Sequence, residues 1–211
     1  MNYFAAEKVL PSIQTIIEGA KVEEPETIEA RVAFKGYDIL REKRFNGEVV
    51  LPHPLRQRDR VLIIADSSLS TLLKGTDLQY VEAENFKGKD KDMKKTRKRL
   101  VKKYKAFIAV PSVYSVFEPK LFAGKRKPVF MIKNVNDIQS FYEDTKRKVQ
   151  LVLKKDMLLG FPIGYTTMGA DEVAQNFVQA MQALLALQKK GIQNIRSVNL
   201  KATKGKVIKF L

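Results

Sequence analysis

The chain has 211 residues, room for one or two domains with a real core, and at 45% hydrophobic residues it is too apolar for disorder. Thirty-nine Lys and Arg against 23 Asp and Glu give a formal charge of +16, so a polyanion is the expected partner class. The absence of cysteine excludes Cys-based zinc sites, thiol nucleophiles and disulfides, and apolar stretches such as Met157–Ile163 are far too short for a membrane span.

In chain order, "MNYFAAEKVLPS" lacks a basic leader followed by an apolar region, so a soluble intracellular protein is expected. Leu10, Ile13, Ile16 and Ile17 recur at helical spacing, with Pro11 in a first turn and Gly19 as a stop. "ETIEARVAF" then alternates, with Ile28, Ala30, Val32 and Phe34 on one face and Thr27, Glu29, Arg31 and Ala33 on the other, predicting a half-buried strand. Phe45–Leu51 predicts a second strand, ended by Pro52 and Pro54. Up to residue 58, nine basic and nine acidic groups cancel.

A different pattern follows. Val61–Ala65 and Ala106–Val110 are continuous apolar runs, as expected of strands covered on both faces. A charged helical stretch near Asp90–Lys103 lies between them and another follows Pro111, so a mostly parallel α/β unit is expected. Residues 59–144 hold eighteen basic and eleven acidic groups, and Lys87–Lys105 is a dense, unpatterned basic run of eleven basic and two acidic residues in nineteen. Such a run marks a nucleic-acid or acidic-surface contact, the alternative being a solvated helix face.

Past Asp144 the first pattern returns. "KVQLVLKK" alternates, "MLLGFPIG" predicts another strand, and Ala170–Gln188 predicts a helix with Val173, Ala174, Phe177, Val178, Met181, Leu184 and Leu185 as its apolar stripe. Asp171 and Glu172 in its first turn and Lys189 and Lys190 at its end suit the helix dipole. Val198, Leu200 and Ala202 alternate with Asn199, Lys201 and Thr203 before a turn at Lys204 and Gly205. Residues 145–211 hold twelve basic and three acidic groups. Half-exposed strands at both ends around a buried-strand block predict a discontinuous outer domain, 1–58 plus 145–211, and an inserted domain, 59–144, with short junctions near Arg56–Asp59 and Asp144–Lys146.

Catalytic signals are weak. His53, the single histidine, lies between two prolines without a nucleophile turn, which points to a structural loop role. Asp66–Ser70 follows a buried strand, where α/β folds bind ligands, but it lacks the glycines of a phosphate-binding loop and reads as helix capping. No metal-ligand spacing stands out. Polar and basic residues do collect on strand faces, Thr27, Glu29 and Arg31 on one and Lys201 and Thr203 on another. Placed in one sheet, they would form a platform for RNA backbone and minor-groove contacts; otherwise they are polar faces exposed to water.

Four segments carry a resemblance. "ETIEARVAFKGYD…KRFNGEVVLPHP", "KYKAFIAVPSV", "GFPIGYTTMGADEVAQNF" and "QNIRSVNLKATKGK" resemble, in order and rough spacing, segments of the large-subunit ribosomal protein L-one family, nearer to its eukaryotic members. The resemblance implies an α/β protein of two domains: an outer split α+β domain with a mostly antiparallel sheet, and an inserted doubly wound α/β domain. It implies a structural role in the large ribosomal subunit, with the outer domain binding rRNA at a mobile stalk near the tRNA exit site and assisting deacylated tRNA release. The implied partners are large-subunit rRNA, exit-site tRNA and the ribosome, with no membrane, no cofactor, no metal and no enzyme activity. The protein would be a monomer within the cytoplasmic ribosome, after nucleolar passage during assembly.

Carried over by position, the family's rRNA-binding Thr and Gly fall on Thr203 and Gly205, its strand Thr and Glu on Thr27 and Glu29, and the Gly of its Val-Gly turn on Gly164. Lys43, Arg44, Lys201 and Lys204 are further rRNA candidates; Lys94, Lys95, Arg97, Lys98, Lys125, Arg126 and Lys127 are candidates for electrostatic contact with tRNA or rRNA. Three departures stand out. The family's Met is Lys204, a charge able to reach a phosphate; its aromatic residue two before the Glu-Thr pair is Glu24, which loses a stacking contact; and its Gly-Pro loop is shortened to Leu121–Pro128. The alternatives are an assembly factor with the same domain and an RNA-modifying enzyme using the inserted domain for a nucleotide. Compactness argues against the first, and missing glycine fingerprints against the second.

Overall fold

A computed structural model describes residues 3–20, 25–36, 44–55, 60–86, 90–116, 127–153 and 156–211, with 114–116 described by backbone alone. The chain divides into two compact units, Met1–Leu55 with Arg147–Leu211 and Arg56–Lys146.

In the split unit, helix α1 (Ala6–Glu18) buries Val9, Ile13 and Ile16 at helical spacing. It starts earlier than its sequence suggests, because Phe4 is buried just ahead of it, so Pro11 lies inside the helix rather than in its first turn. Pro11 is exposed, and water can meet the Glu7 carbonyl that its missing N–H leaves. Strand β1 (Thr27–Phe34) buries Ile28, Ala30, Val32 and Phe34, as its alternation requires. Strand β2 (Asn46–Val50) follows it in this unit.

The inserted unit begins with β3 (Val61–Ala65), α2 (Ser67–Leu73), β4 (Tyr80–Glu82), α3 (Lys91–Lys103) and β5 (Ala106–Ala109). It continues through α4 (Pro111–Val116), β6 (Val129–Met131) and α5 (Ile138–Arg147). Its four strands are parallel in the order β4-β3-β5-β6, and every residue of β3 and β5 is buried. Stepping from β3 to β4 and back past β3 to β5 reverses the winding, so right-handed crossovers lay α2 and α3 on opposite faces. Tyr142 of α5 is wholly buried, its hydroxyl donating to the Val61 carbonyl at 3.4 Å. The short linker expected at Asp144–Lys146 is instead the last turn of α5, where Thr145 Oγ1 donates to the Phe141 carbonyl at 2.7 Å.

The chain returns to the split unit through β7 (Lys148–Val152), β8 (Leu158–Tyr165), α6 (Ala170–Leu187), β9 (Ile195–Ala202) and β10 (Val207–Lys209). In this unit β8, β9 and β10 join β1 in a four-stranded antiparallel sheet, β10-β9-β1-β8, while β2 and β7 form a separate antiparallel pair. Helix α6 buries Val173, Ala174, Phe177, Ala180, Met181 and Leu184. It ends at Leu187, where Gln188 turns extended, so Lys189 and Lys190 lie beyond its last turn. Phe177 packs edge-on against Phe4 and Phe210, with centroids 6.1 and 5.5 Å away, joining residues from near both chain ends. Among the described residues no helix is long and apolar enough to cross a membrane.

One buried amide organises a loop. Asn176 of α6 is wholly buried; its Oδ1 accepts the His53 N–H at 2.9 Å, and its Nδ2 donates to the carbonyls of Ile163 (3.0 Å) and His53 (3.3 Å). The His53 ring meets Gln175 Oε1 at 2.8 Å, so this histidine docks a loop onto a helix. Asn176→Ala strips partners from buried main-chain groups and should lower stability by at least about 2 kcal/mol, whereas Gln175→Ala at an exposed position should cost about 0.5 kcal/mol. Urea denaturation followed by circular dichroism checks the contrast.

Candidate nucleic-acid interface

Pairing of β1 with β9 places Glu29 opposite Lys201 and Arg31 opposite Asn199. On its other edge β1 pairs with β8, setting Glu29 against Pro162 and Arg31 against Gly160, while β10 adds Val207 beside Lys201 and Lys209 beside Asn199. Since side chains alternate and the other parity holds Ile28, Ala30, Leu200 and Phe161 in the core, these residues share the opposite face. Arg31 Nη2 lies 3.5 Å from Glu29 Oε2, an exposed pair that adds little to stability.

The 203–206 loop joins β9 to β10 at one end of this face. Thr203 Oγ1 donates to the Thr27 carbonyl at 3.2 Å, so its hydroxyl serves an incoming group as an acceptor. The Lys204 N–H donates to Glu26 Oε2 at 2.8 Å, and the Gly205 N–H to the Ala202 carbonyl at 3.2 Å. A Cβ on Gly205 would stand 3.1 Å from that of buried Ala202, a tight contact that the loop or Ala202 would have to yield a few tenths of an ångström to accept. Thr27, Glu29, Lys201, Thr203, Lys204 and Gly205 are therefore gathered on the adjoining strands β1 and β9 and the loop that follows β9. The lysines can meet phosphate oxygens, while Glu29 and Thr203 offer acceptors suited to a ribose 2′-hydroxyl or a base amino group.

The other sequence candidates sort differently. Gly164 pairs with Ile28 on the buried side, beside a bulge in β8, and a Cβ there would come within 2.7 Å of Val173 Cγ2. Its lack of a side chain thus serves the approach of α6 to the sheet. Arg44 is exposed just ahead of β2, on the other sheet of the unit. Lys43, Glu24, Lys125, Arg126 and the junction at Arg56–Asp59 lie outside the described residues.

On α3, Lys94, Lys95 and Lys98 are exposed, with Lys95 Nζ 3.3 Å from Asp92. Arg97 is not a surface cation: it is 4% exposed, and its Nη1 donates to the Phe86 carbonyl at 2.8 Å. The run is patterned after all, since Met93, Arg97, Leu100, Val101 and Tyr104 form its inward stripe, with an arginine where an apolar residue would normally sit. Lys127 is likewise committed, its Nζ donating to the Val101 and Tyr104 carbonyls at the end of α3. Burial, and secondarily Lys105, lower its pKa from the usual lysine value. Asp66 caps α2, its Oδ1 accepting the Leu69 N–H at 2.9 Å and its Oδ2 the Ser112 hydroxyl at 3.1 Å. Among the described residues no cluster of three or more metal-ligating side chains occurs.

The family model described as "Ribosomal protein L1p/L10e family" matches residues 16–206. The chain belongs to this family. It is 32% identical over 187 residues to the large ribosomal subunit protein uL1 of Oryza sativa subsp. japonica, covering 87% of this chain and 86% of the relative. The Arabidopsis thaliana protein uL1z is 32% identical over 211 residues, 97% of each chain, and Schizosaccharomyces pombe uL1A is 30% identical over 213 residues, 98% of each. The α/β architecture, with antiparallel sheets in one unit and a parallel sheet in the other, agrees with the two-domain fold that the resemblance implied.

Two residues matter here that the motifs did not single out. Glu26 holds the 203–206 loop and Asn176 holds the bulged end of β8. Both are polar residues in inward register, the one sequence signal that marks them. Arg97→Ala removes a buried charged donor from the Phe86 carbonyl and should destabilise the protein by about 2–3 kcal/mol, while Lys98→Ala should change stability by about 0.5 kcal/mol or less. Thermal unfolding of the two variants measures the difference.

Proposed function

We propose that this protein is a structural, non-enzymatic constituent of the large ribosomal subunit that binds large-subunit rRNA through the split unit. The observation that carries the reading is the gathering of Thr27, Glu29, Lys201, Thr203 and Gly205 on β1, β9 and their adjoining loop in a member of a ribosomal protein family. The names of the similar proteins, all large-subunit components, support the same reading. Within it, the split unit, Met1–Leu55 with Arg147–Leu211, is the principal rRNA-binding domain at a mobile stalk near the tRNA exit site. The exposed Lys94, Lys95 and Lys98 of the inserted unit supply a looser electrostatic contact to exit-site tRNA or rRNA, assisting release of deacylated tRNA. The protein acts as a monomer within the cytoplasmic ribosome, reached through the nucleolus during assembly, and has the ribosome rather than a membrane as its partner.

The two contacts differ in physical kind. Ammonium groups on flexible stems neutralise phosphates and tolerate variable geometry, whereas a hydrogen-bonded loop fixes positions against one folded RNA. Six to ten phosphate contacts would reduce affinity by about 10³–10⁵ between 50 and 200 mM salt on the duplex-DNA guide. Thr203→Ala or Gly205→Ala should therefore weaken binding to deproteinised large-subunit rRNA more than Lys94→Ala, Lys95→Ala or Lys98→Ala at fixed salt. A filter-binding titration makes the comparison, and equal losses across the two groups would remove the loop as the specific site.

A further inference from the structure

Glu26 stands just ahead of β1, in inward register with Ile28, Ala30 and Val32, and is 6% exposed. An apolar side chain would be the ordinary occupant of that register, because a buried carboxylate loses its hydration and must recover it through hydrogen bonds. Here it does so on the loop itself, with Oε2 accepting the backbone N–H of Lys204 at 2.8 Å across 178 residues of chain. Its main chain is engaged as well. The Glu26 N–H donates to Thr166 Oγ1 at 3.0 Å, and the Thr166 N–H donates back to the Glu26 carbonyl at 2.9 Å. One residue thus ties together the start of β1, the turn after β8 and the loop between β9 and β10.

We propose that Glu26 is a positioning residue that sets the 203–206 loop in its RNA-binding geometry before RNA arrives. The inference rests on the reading of that loop as the specific rRNA contact. A charge-assisted bond to a main-chain N–H orders the loop in the free protein, so that binding need not bear the entropy of ordering it. The Thr203 hydroxyl on the Thr27 carbonyl, at 3.2 Å, is the second clasp on the same loop.

The sign of the mutational effect separates positioning from plain electrostatics. A carboxylate near a polyanion repels it, so on charge alone Glu26→Ala would tighten RNA binding. Positioning requires the reverse. With deproteinised large-subunit rRNA as the probe, Glu26→Ala is expected to weaken binding about tenfold or more with an unchanged salt slope. Glu26→Gln, which keeps an acceptor oxygen, is expected to stay within about threefold of the unsubstituted protein. Amide hydrogen exchange on the RNA-free protein is expected to quicken about tenfold or more at Lys204 in Glu26→Ala, and not at Val198 in the middle of β9.

Unchanged or tighter RNA binding by Glu26→Ala would overturn the proposal. So would unchanged exchange at Lys204, or faster exchange spread equally to Val198, which would make Glu26 a general stabiliser. If the unsubstituted protein does not bind this rRNA, the RNA reading fails by itself; the Lys204 exchange still reports whether Glu26 holds the loop.

Discussion

The split unit depends on one constraint, the pairing of β1 along both edges with strands contributed by the far half of the chain. β1 lies between β8 and β9, so neither half of the unit has a complete sheet alone. Because side chains alternate with a period of two, a slip of one residue would bring Thr27, Glu29 and Arg31 inward and turn Ile28, Ala30 and Val32 to solvent. The core thereby sets the register, and the register places Glu29 opposite Lys201. The polar face is the necessary reverse side of a well-packed interior. A whole inserted unit between the two halves is compatible with this pairing, since closing a longer loop costs only about 0.6 kcal/mol per doubling of its length.

Polar groups buried at the margins of that core complete the design. Asn176 joins α6 to the bulge of β8 and to the loop at His53, while Glu26 joins the strand tips to the 203–206 loop. Both groups satisfy main-chain atoms that no ladder or helix reaches, and both act across long separations in sequence. Hydrogen bonds of this kind are directional where apolar packing is not, so they fix where a loop stands. Gly164 adds the steric counterpart, letting α6 approach the sheet where any side chain would meet Val173.

The net charge of +16 resolves into cations of unlike kinds. Arg97 and Lys127 serve main-chain carbonyls within the inserted unit, the first at Phe86 and the second at the end of α3. Lys94, Lys95 and Lys98 stand exposed along the same helix, Lys95 beside Asp92. Arg31, Lys201 and Lys209 sit instead on a strand face with carboxylate and amide neighbours, where position as well as charge can be read. Membership in a ribosomal protein family gives these cations a common context.

Strand and helix identity was legible from periodicity. Alternation marked β1, continuous apolar runs marked β3 and β5, and the 3.6-residue stripe marked α6, because burial on one face, two faces or a stripe each leaves its own spacing. The motifs named Thr27, Glu29, Thr203 and Gly205 as candidates, and strand pairing gathers them on adjoining strands and a loop. Where helices began and ended was less legible: Phe4 packing drew α1 back past Pro11, and α5 ran through the expected junction. Single-residue chemistry was least legible, since Arg97 and Lys98 are neighbours in one basic run yet one is buried and the other exposed. What the sequence determined by itself was periodicity, composition and charge, which are local or additive properties. Which cations are spent inside, why Gly164 must be glycine and what Glu26 holds were decided only by the tertiary structure, because each depends on a partner brought close by folding rather than by the chain.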